Sequence, residues 1–211
     1  MKECVELTEA EEKSGCIYAM VENAPYFRSC MEMTRVYQSG VLGDVEYGEA
    51  EYCHPLSIQN STMYRPDASH WRNYLPKTYY LSRCLGPLMV MTDLMPVKVI
   101  GKVTCGRSYM KKRGRKSADV AAIMLIEMEN GVVFRVTGSS SLSPASHWFR
   151  LSCEKGGIES VRGKHDQISL FINSWDLADS SQSTHSVYEV HAEDQKLAAG
   201  SGGHDGAITE P

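Results

Sequence analysis

The sequence predicts an α+β protein built on one large, mainly antiparallel β-sheet with helices packed on one face. Three observations carry this prediction. The segments with apolar residues at helical spacing all fall before Pro96. From Val97 onward the chain divides into about seven segments that read as strands, the first three of them rich in Val and Ile. Asn130-Gly131 separates two of these segments, and that dipeptide is the strongest short signal for a hairpin, which pairs its strands antiparallel.

The elements follow in order. Glu3 to Ser14 read as a helix with Val5, Leu7 and Ala10 on its apolar side, and Gly15 is placed to end it in the left-handed conformation. "CIYAMVEN" alternates weakly as a strand that ends at Asn23. "APYFRSCMEMTRVYQSG" predicts a second helix, its larger side chains stepping by three and four from Phe27 through Met31 to Tyr37, with Ser39-Gly40 as the stop. "VEYGEAEYCH" alternates as a strand from Val45, and 55–70 is loop by composition.

"WRNYLPKTYYLSRCLGPL" leads into a helix over 79–92 that Gly86-Pro87 is expected to kink or restart. Beyond Pro96 come "VKVIGKVTCGRSYM", "ADVAAIMLIEMEN", "VVFRVTGSSS", "WFRLSCEK", "GIESVRG", "QISLFIN" and "SVYEVHA", with Gly156-Gly157 expected as a tight turn. The tail "AAGSGGHDGAITEP" is Gly-rich and brings no closing element.

Composition removes several functions. A net charge of −4 leaves no excess of basic charge for phosphates, so a nucleic-acid partner is not expected. The longest apolar run, Val120 to Ile126, is seven residues, against the ~20 that a membrane helix needs. The start, Met-Lys-Glu-Cys-Val-Glu, has no apolar signal-peptide core. Seven scattered cysteines form no CxxC pair and predict no metal site; they read as reduced thiols used as small buried apolar groups, in keeping with a cytoplasmic protein.

Motifs for phosphate binding are missing too. Gly200 to Gly206 departs from the GxGxxG spacing and opens no helix, and Walker, GxSxG and HExxH sequences do not occur. Lys111 to Lys116 put five positive charges in six residues between two strands, which reads as a solvated hairpin tip. Of the seven histidines, His54 and His204 are the two expected to face a cleft.

In this order, "EEKSGCIYAMVENAPYF", "MTRVYQSGVLGDVEYGEAEYCH", "WRNYLPKTYYLSRCLGPL", "NGVVFRVTGSSS", "FRLSCEKGGIES" and "GSGGHDG" resemble the Gfo/Idh/MocA family of NAD(P)-dependent sugar oxidoreductases. The similarity covers nearly the whole chain and lies in the family's C-terminal, substrate-binding and oligomerising domain. It implies that 1–23 are a remnant of the last βα unit of a nucleotide-binding domain, and that 24–211 are the C-terminal α+β domain, cut short at its end.

It also implies roles. Asn23 matches the asparagine that faces the nicotinamide, and Tyr26, His54, Trp71, Arg72, Tyr80, Arg83 and His204 would surround a sugar pocket. NAD or NADP is the implied cofactor, though no part of this chain is expected to bind it alone. Homo-oligomerisation through the sheet and a sugar-like small molecule are the implied partners.

The chain departs from the pattern at the chemistry. Arg83 stands where the family's proton-relaying His is found, and Tyr79 where its Asp is found. A guanidinium keeps its proton near neutrality, so Arg83 is a poor general base, but it can clamp a carboxylate or phosphate. No catalytic residue is therefore assigned. The chain is expected to be a substrate and assembly half of a sugar oxidoreductase, inactive alone. A structural module with a decayed site and part of an NAD-dependent glycosidase are the alternatives.

Overall fold

A computed structural model describes residues 2–18, 22–55, 69–70, 74, 76–106, 119–139, 146–164, 166–177 and 184–190. Eight strands form a single sheet in the order β2-β3-β4-β1-β5-β6-β7-β8. These are β1 (Val45–Cys53), β2 (Pro96–Cys105), β3 (Asp119–Met128), β4 (Val133–Ser139), β5 (Ser146–Cys153), β6 (Gly156–Ser160), β7 (Gln167–Ile172) and β8 (His185–Glu189). Seven strands follow Pro96, as the segment count predicts. All neighbouring pairs are antiparallel except β1 with β4, which insert β1 into the middle of the later strands.

The helices are α1 (Lys2–Ser14), α2 (Arg28–Gln38) and α3 (Ser82–Thr92). On α2, Cys30, Met33 and Val36 make one buried stripe; on α3, Cys84, Pro87, Leu88 and Met91 make another at i, i+3, i+4 and i+7. The two helices pack on each other and on one face of the sheet. Their stripes bury Phe134, Val136, Phe149, Leu151, Ile126 and Ile158 from the strands. Gly48 of β1 makes room for this core, since a Cβ there would lie 2.6 Å from the Phe134 ring.

Four expectations are corrected. The described residues of the 16–23 stretch form no strand, because none of the eight sheet strands pairs with them, and a strand without a neighbour leaves its backbone groups unmade. The second predicted helix is split: Ala24–Tyr26 form a 3-10 turn, Phe27 is extended (φ −64°, ψ 139°), and α2 starts at Arg28. Gly86-Pro87 does not restart α3, which runs unbroken through both. Pro87 removes only the N–H that would meet the Arg83 carbonyl one turn back, and its ring is buried.

The fourth concerns Gly156-Gly157, which open β6; the turn itself is Glu154-Lys155. Its hold is the Glu154 carboxylate, which accepts from the Asp44 amide at 3.0 Å, and the Lys155 amide, which donates to the Leu42 carbonyl at 2.9 Å. Gly156 is required by close approach, because a Cβ there would sit 2.0 Å from the Phe171 carbonyl oxygen.

Gly15 (φ 65°) ends α1 as expected, and Gly131 (φ 86°) supplies the left-handed residue of the β3–β4 turn. α1 buries no residue. Four of the seven cysteines, 30, 53, 84 and 153, are buried and meet the expectation, whereas Cys4, Cys16 and Cys105 are exposed; all seven are free thiols. Among the described residues no helix is long and apolar enough to cross a membrane.

Candidate functional site

Five residues that the sequence singles out, Asn23, His54, Tyr79, Tyr80 and Arg83, come together where the start of α3, the turn before α2 and the C-terminal end of β1 meet. The backbone first dictates who is there. The 3-10 segment Lys77–Leu81 delivers Tyr79 and Tyr80, and α3 continues from it so that Arg83 lies in the first helical turn while Cys84 turns into the core. The turn Ala24–Tyr26 holds Asn23 just before it, with its side chain buried. Alternation along β1 puts Tyr52 on the helix-covered face with Gly48 and Ala50.

Arg83 joins these parts. Its Nη1 donates to Asn23 Oδ1 at 2.7 Å, and its Nε lies 3.9 Å from Glu22 Oε1. The guanidinium carbon sits 5.5 Å from the centroid of the Tyr52 ring, within cation–π reach. Tyr52 is the hub of an aromatic cluster: its ring is 6.2 Å from Tyr80, 5.9 Å from His54 and 4.9 Å from His147. Tyr79 meets Tyr80 edge-on at 5.9 Å, and Phe27 meets His147 edge-on at 5.3 Å.

Two titratable groups of this cluster are held in their protonated forms. Burial pushes the Tyr52 phenol up, and the Arg83 charge only partly opposes it, so Tyr52 stays protonated at neutral pH. Burial likewise pushes the Cys84 thiol well up, and its Sγ lies 3.3 Å from the Thr137 carbonyl, so it is no nucleophile. What remains at the surface is a fixed guanidinium beside exposed Tyr79, Tyr80 and His54 rings.

Of the residues predicted to form the site, Asn23, His54, Tyr79, Tyr80 and Arg83 lie together. Tyr26 closes the 3-10 turn through its amide, which donates to the Asn23 carbonyl at 3.2 Å, and its ring takes no part in the described aromatic cluster. Trp71, Arg72 and His204 lie outside the described residues, as does the basic run 111–116. Sequence reasoning missed Glu22, Tyr52 and His147. The alternation of β1 marks Tyr52 as inward-facing, but only the antiparallel register with β5 sets it opposite His147.

The opposite face of the sheet carries a second concentration of chemistry. Register aligns Ile100, Leu125, Arg135, Glu49, Arg150, Glu159, Ser169 and Val187 in one row across all eight strands. At its centre Glu49, 8% exposed, accepts from Arg135 Nε at 2.7 Å, pairs with Arg150 Nη2 at 2.6 Å and accepts from the Tyr47 hydroxyl at 3.0 Å. Beside it Trp148 lies under the Arg162 guanidinium at 4.1 Å, and Arg162 pairs with Glu51. Ile100, Ile123, Leu125, Val133, Phe171 and Val187 on this face are exposed.

No family model matches the chain. In sequence, 74 residues (35% of this chain, 15% of the other) are 35% identical to Glycosyl hydrolase family 109 protein 1 of Akkermansia muciniphila. In structure, an oxidoreductase from Pseudomonas syringae is similar over 98% of this chain and 54% of its own, with TM-score 0.68 and 15% identity. An inositol dehydrogenase homolog from Azotobacter vinelandii, complexed with NADH and myo-inositol, matches over 100% and 50%, with TM-score 0.66 and 16% identity. Levoglucosan dehydrogenase, in complex with NADH and levoglucosan, matches over 88% and 52%, with TM-score 0.67 and 12% identity. The chain thus spans about half the length of the solved structures it matches.

Proposed function

Because the chain has the α+β fold of the Gfo/Idh/MocA-type oxidoreductases, we propose that it forms the substrate side of such an enzyme and holds a polyhydroxylated small molecule at the Arg83 cluster. The observation that carries this reading is the meeting of Arg83, Asn23, Tyr52, Tyr80 and His54 at one edge of the helix layer. Aromatic faces bordered by fixed donors suit a sugar, whose ring has apolar C–H faces and a rim of hydroxyls. Arg83 binds and orients in this account; it does not relay a proton. NAD or NADP, implied by the fold family, would carry the hydride, and Asn23 is the residue of this chain proposed to face it.

A second reading is supported by one observation. The stretch similar to a glycosyl hydrolase family 109 protein favours a part in glycoside cleavage over plain sugar oxidation. Both readings place a sugar on the same residues. Their common test is a titration with myo-inositol, levoglucosan and D-glucuronate followed by amide chemical shifts. Saturable shifts at Asn23, Tyr52, Tyr80 and Arg83 are expected from at least one of them; shifts from none would remove both readings.

The partner proposed is a second copy of the chain, docked through the helix-free face of the sheet. That face exposes a band of apolar side chains beside a cluster of three guanidiniums and two carboxylates, a patch large enough to call for a partner. Its ends also differ in charge. Lys98 and Lys102 lie on β2, with Glu127 of β3 opposite Lys98, and Glu159 and Glu189 lie on β6 and β8, all on this face by register. A two-fold axis parallel to the strands lays β2 of one copy over β8 of the other and brings these opposite charges together.

A further inference from the structure

We propose that the ligand of the Arg83 site carries a carboxylate, seated on the Arg83 guanidinium; this rests on the reading above that the site holds a sugar-like molecule. The guanidinium is fixed before any ligand arrives. Asn23 Oδ1 takes Nη1 at 2.7 Å, and the Tyr52 ring lies 5.5 Å from its carbon. Asn23 is itself buried at the foot of the turn that precedes α2. A fork held on one edge and beneath one face loses little freedom when it binds.

The fork is also incompletely used. Among the described residues no hydrogen bond engages Nη2, and the approach of Nε to Glu22 is 3.9 Å, an ion pair without a hydrogen bond. An arginine side chain has five N–H donors, and two parallel ones match the two oxygens of a carboxylate. The Arg83 side chain is 26% exposed, so a small molecule can reach it. Tyr79 and Tyr80 flank the approach with exposed rings for the body of the ligand.

Charge selects the class of anion. Glu22 is the carboxylate paired with Arg83. One guanidinium beside one carboxylate favours a monoanion over a phosphate dianion, which calls for several cations at once. The ligand class is therefore a sugar acid, with the carboxylate on Arg83 and the ring against Tyr80. Glu22 weakens that binding by repulsion and does not prevent it.

The test is an NMR titration of the whole chain at low salt with D-glucuronate, D-glucose, glucose 6-phosphate and acetate, read at the Arg83 side-chain Nε–H and at backbone amides. D-Glucuronate is expected to bind at least about tenfold tighter than D-glucose, the scale of one charge-assisted pair. Arg83→Gln should remove that preference. Arg83→Lys, which keeps the charge and loses the fork, should lose most of it and serves as the second variant. Glu22→Gln should tighten D-glucuronate several-fold.

Equal binding of D-glucose and D-glucuronate would overturn the inference and leave the sugar reading intact. A preference that survives Arg83→Gln, or tighter binding of glucose 6-phosphate, would overturn the assignment to a carboxylate on Arg83. Binding of acetate at Arg83 without any sugar would keep the anion site and remove the sugar reading. No binding of any of the four overturns both.

Discussion

Glu49→Ala is expected to lower the stability of the chain by about 2–3 kcal/mol, a value reduced from the fully buried case because both guanidiniums reach solvent. The substitution leaves Arg135 and Arg150 facing each other across β1 with no carboxylate between them, and takes the acceptor from the Tyr47 hydroxyl. Equilibrium urea unfolding measures the loss. A change below about 0.5 kcal/mol, the size expected at an exposed surface ion pair, would show that the cluster contributes little to the sheet.

The same group gives a pH signature. Burial alone would raise the Glu49 carboxyl, but hydrogen bonds from Arg135 and Tyr47 and the charges of Arg135 and Arg150 more than reverse it, leaving it below its ordinary 4.5. A carboxyl depressed in the folded state contributes stability that is whole above its unfolded value and is lost as pH falls through the folded one. The stability gap between wild type and Glu49→Gln is therefore expected to be constant from neutral pH down to about 4.5 and to narrow below it. A gap unchanged well below that pH contradicts the charged state assigned to Glu49.

Leu125→Asp is expected to split the proposed dimer and spare the fold. Leu125 is 46% exposed on the helix-free face and lies opposite Arg135 in the register of β3 and β4. In a free subunit the new carboxylate meets solvent and a cation. In a face-to-face pair it is desolvated, once in each subunit, and a loss of about 100-fold or more in dimer affinity follows. Sedimentation velocity over a concentration series should show a dimer for wild type and a monomer of unchanged shape for the variant. A wild-type monomer at every concentration would remove the partner proposal, as would a variant that dimerises equally well.

How far the sequence could be read depended on whether each cue was local. The Asn130-Gly131 turn was legible because its requirement is a single left-handed residue, supplied by Gly131. Gly156-Gly157 looked like the same kind of cue, yet Gly156 answers to the Phe171 carbonyl fifteen residues later in the chain, a contact that no local pattern encodes. The restart expected at Gly86-Pro87 failed for a related reason: the helix penalty is local, and the burial of Pro87 that offsets it is tertiary. The strand expected over 16–23, absent at the described 16–18 and 22–23, was read from alternation, which describes one chain segment and no neighbour.

The site was legible only in part. Asn23 and Arg83 are sixty residues apart, and only the family resemblance suggested that both face one pocket; their hydrogen bond then ties the two segments together. Tyr52 was readable as inward-facing, but its place under Arg83 depends on how α3 crosses β1. The Glu49 cluster was invisible because its three partners come from β1, β4 and β5, and the parallel β1–β4 pairing that assembles them has no hairpin to announce it.

We propose that this chain holds the substrate and not the nucleotide. Calorimetric titration of the 211-residue chain with NADH tests it most directly. No saturable heat is expected up to about millimolar NADH, the range in which even weak ligands are detected. One-to-one binding of NADH by the chain alone would contradict it, and would place the hydride carrier and Arg83 within one self-sufficient site.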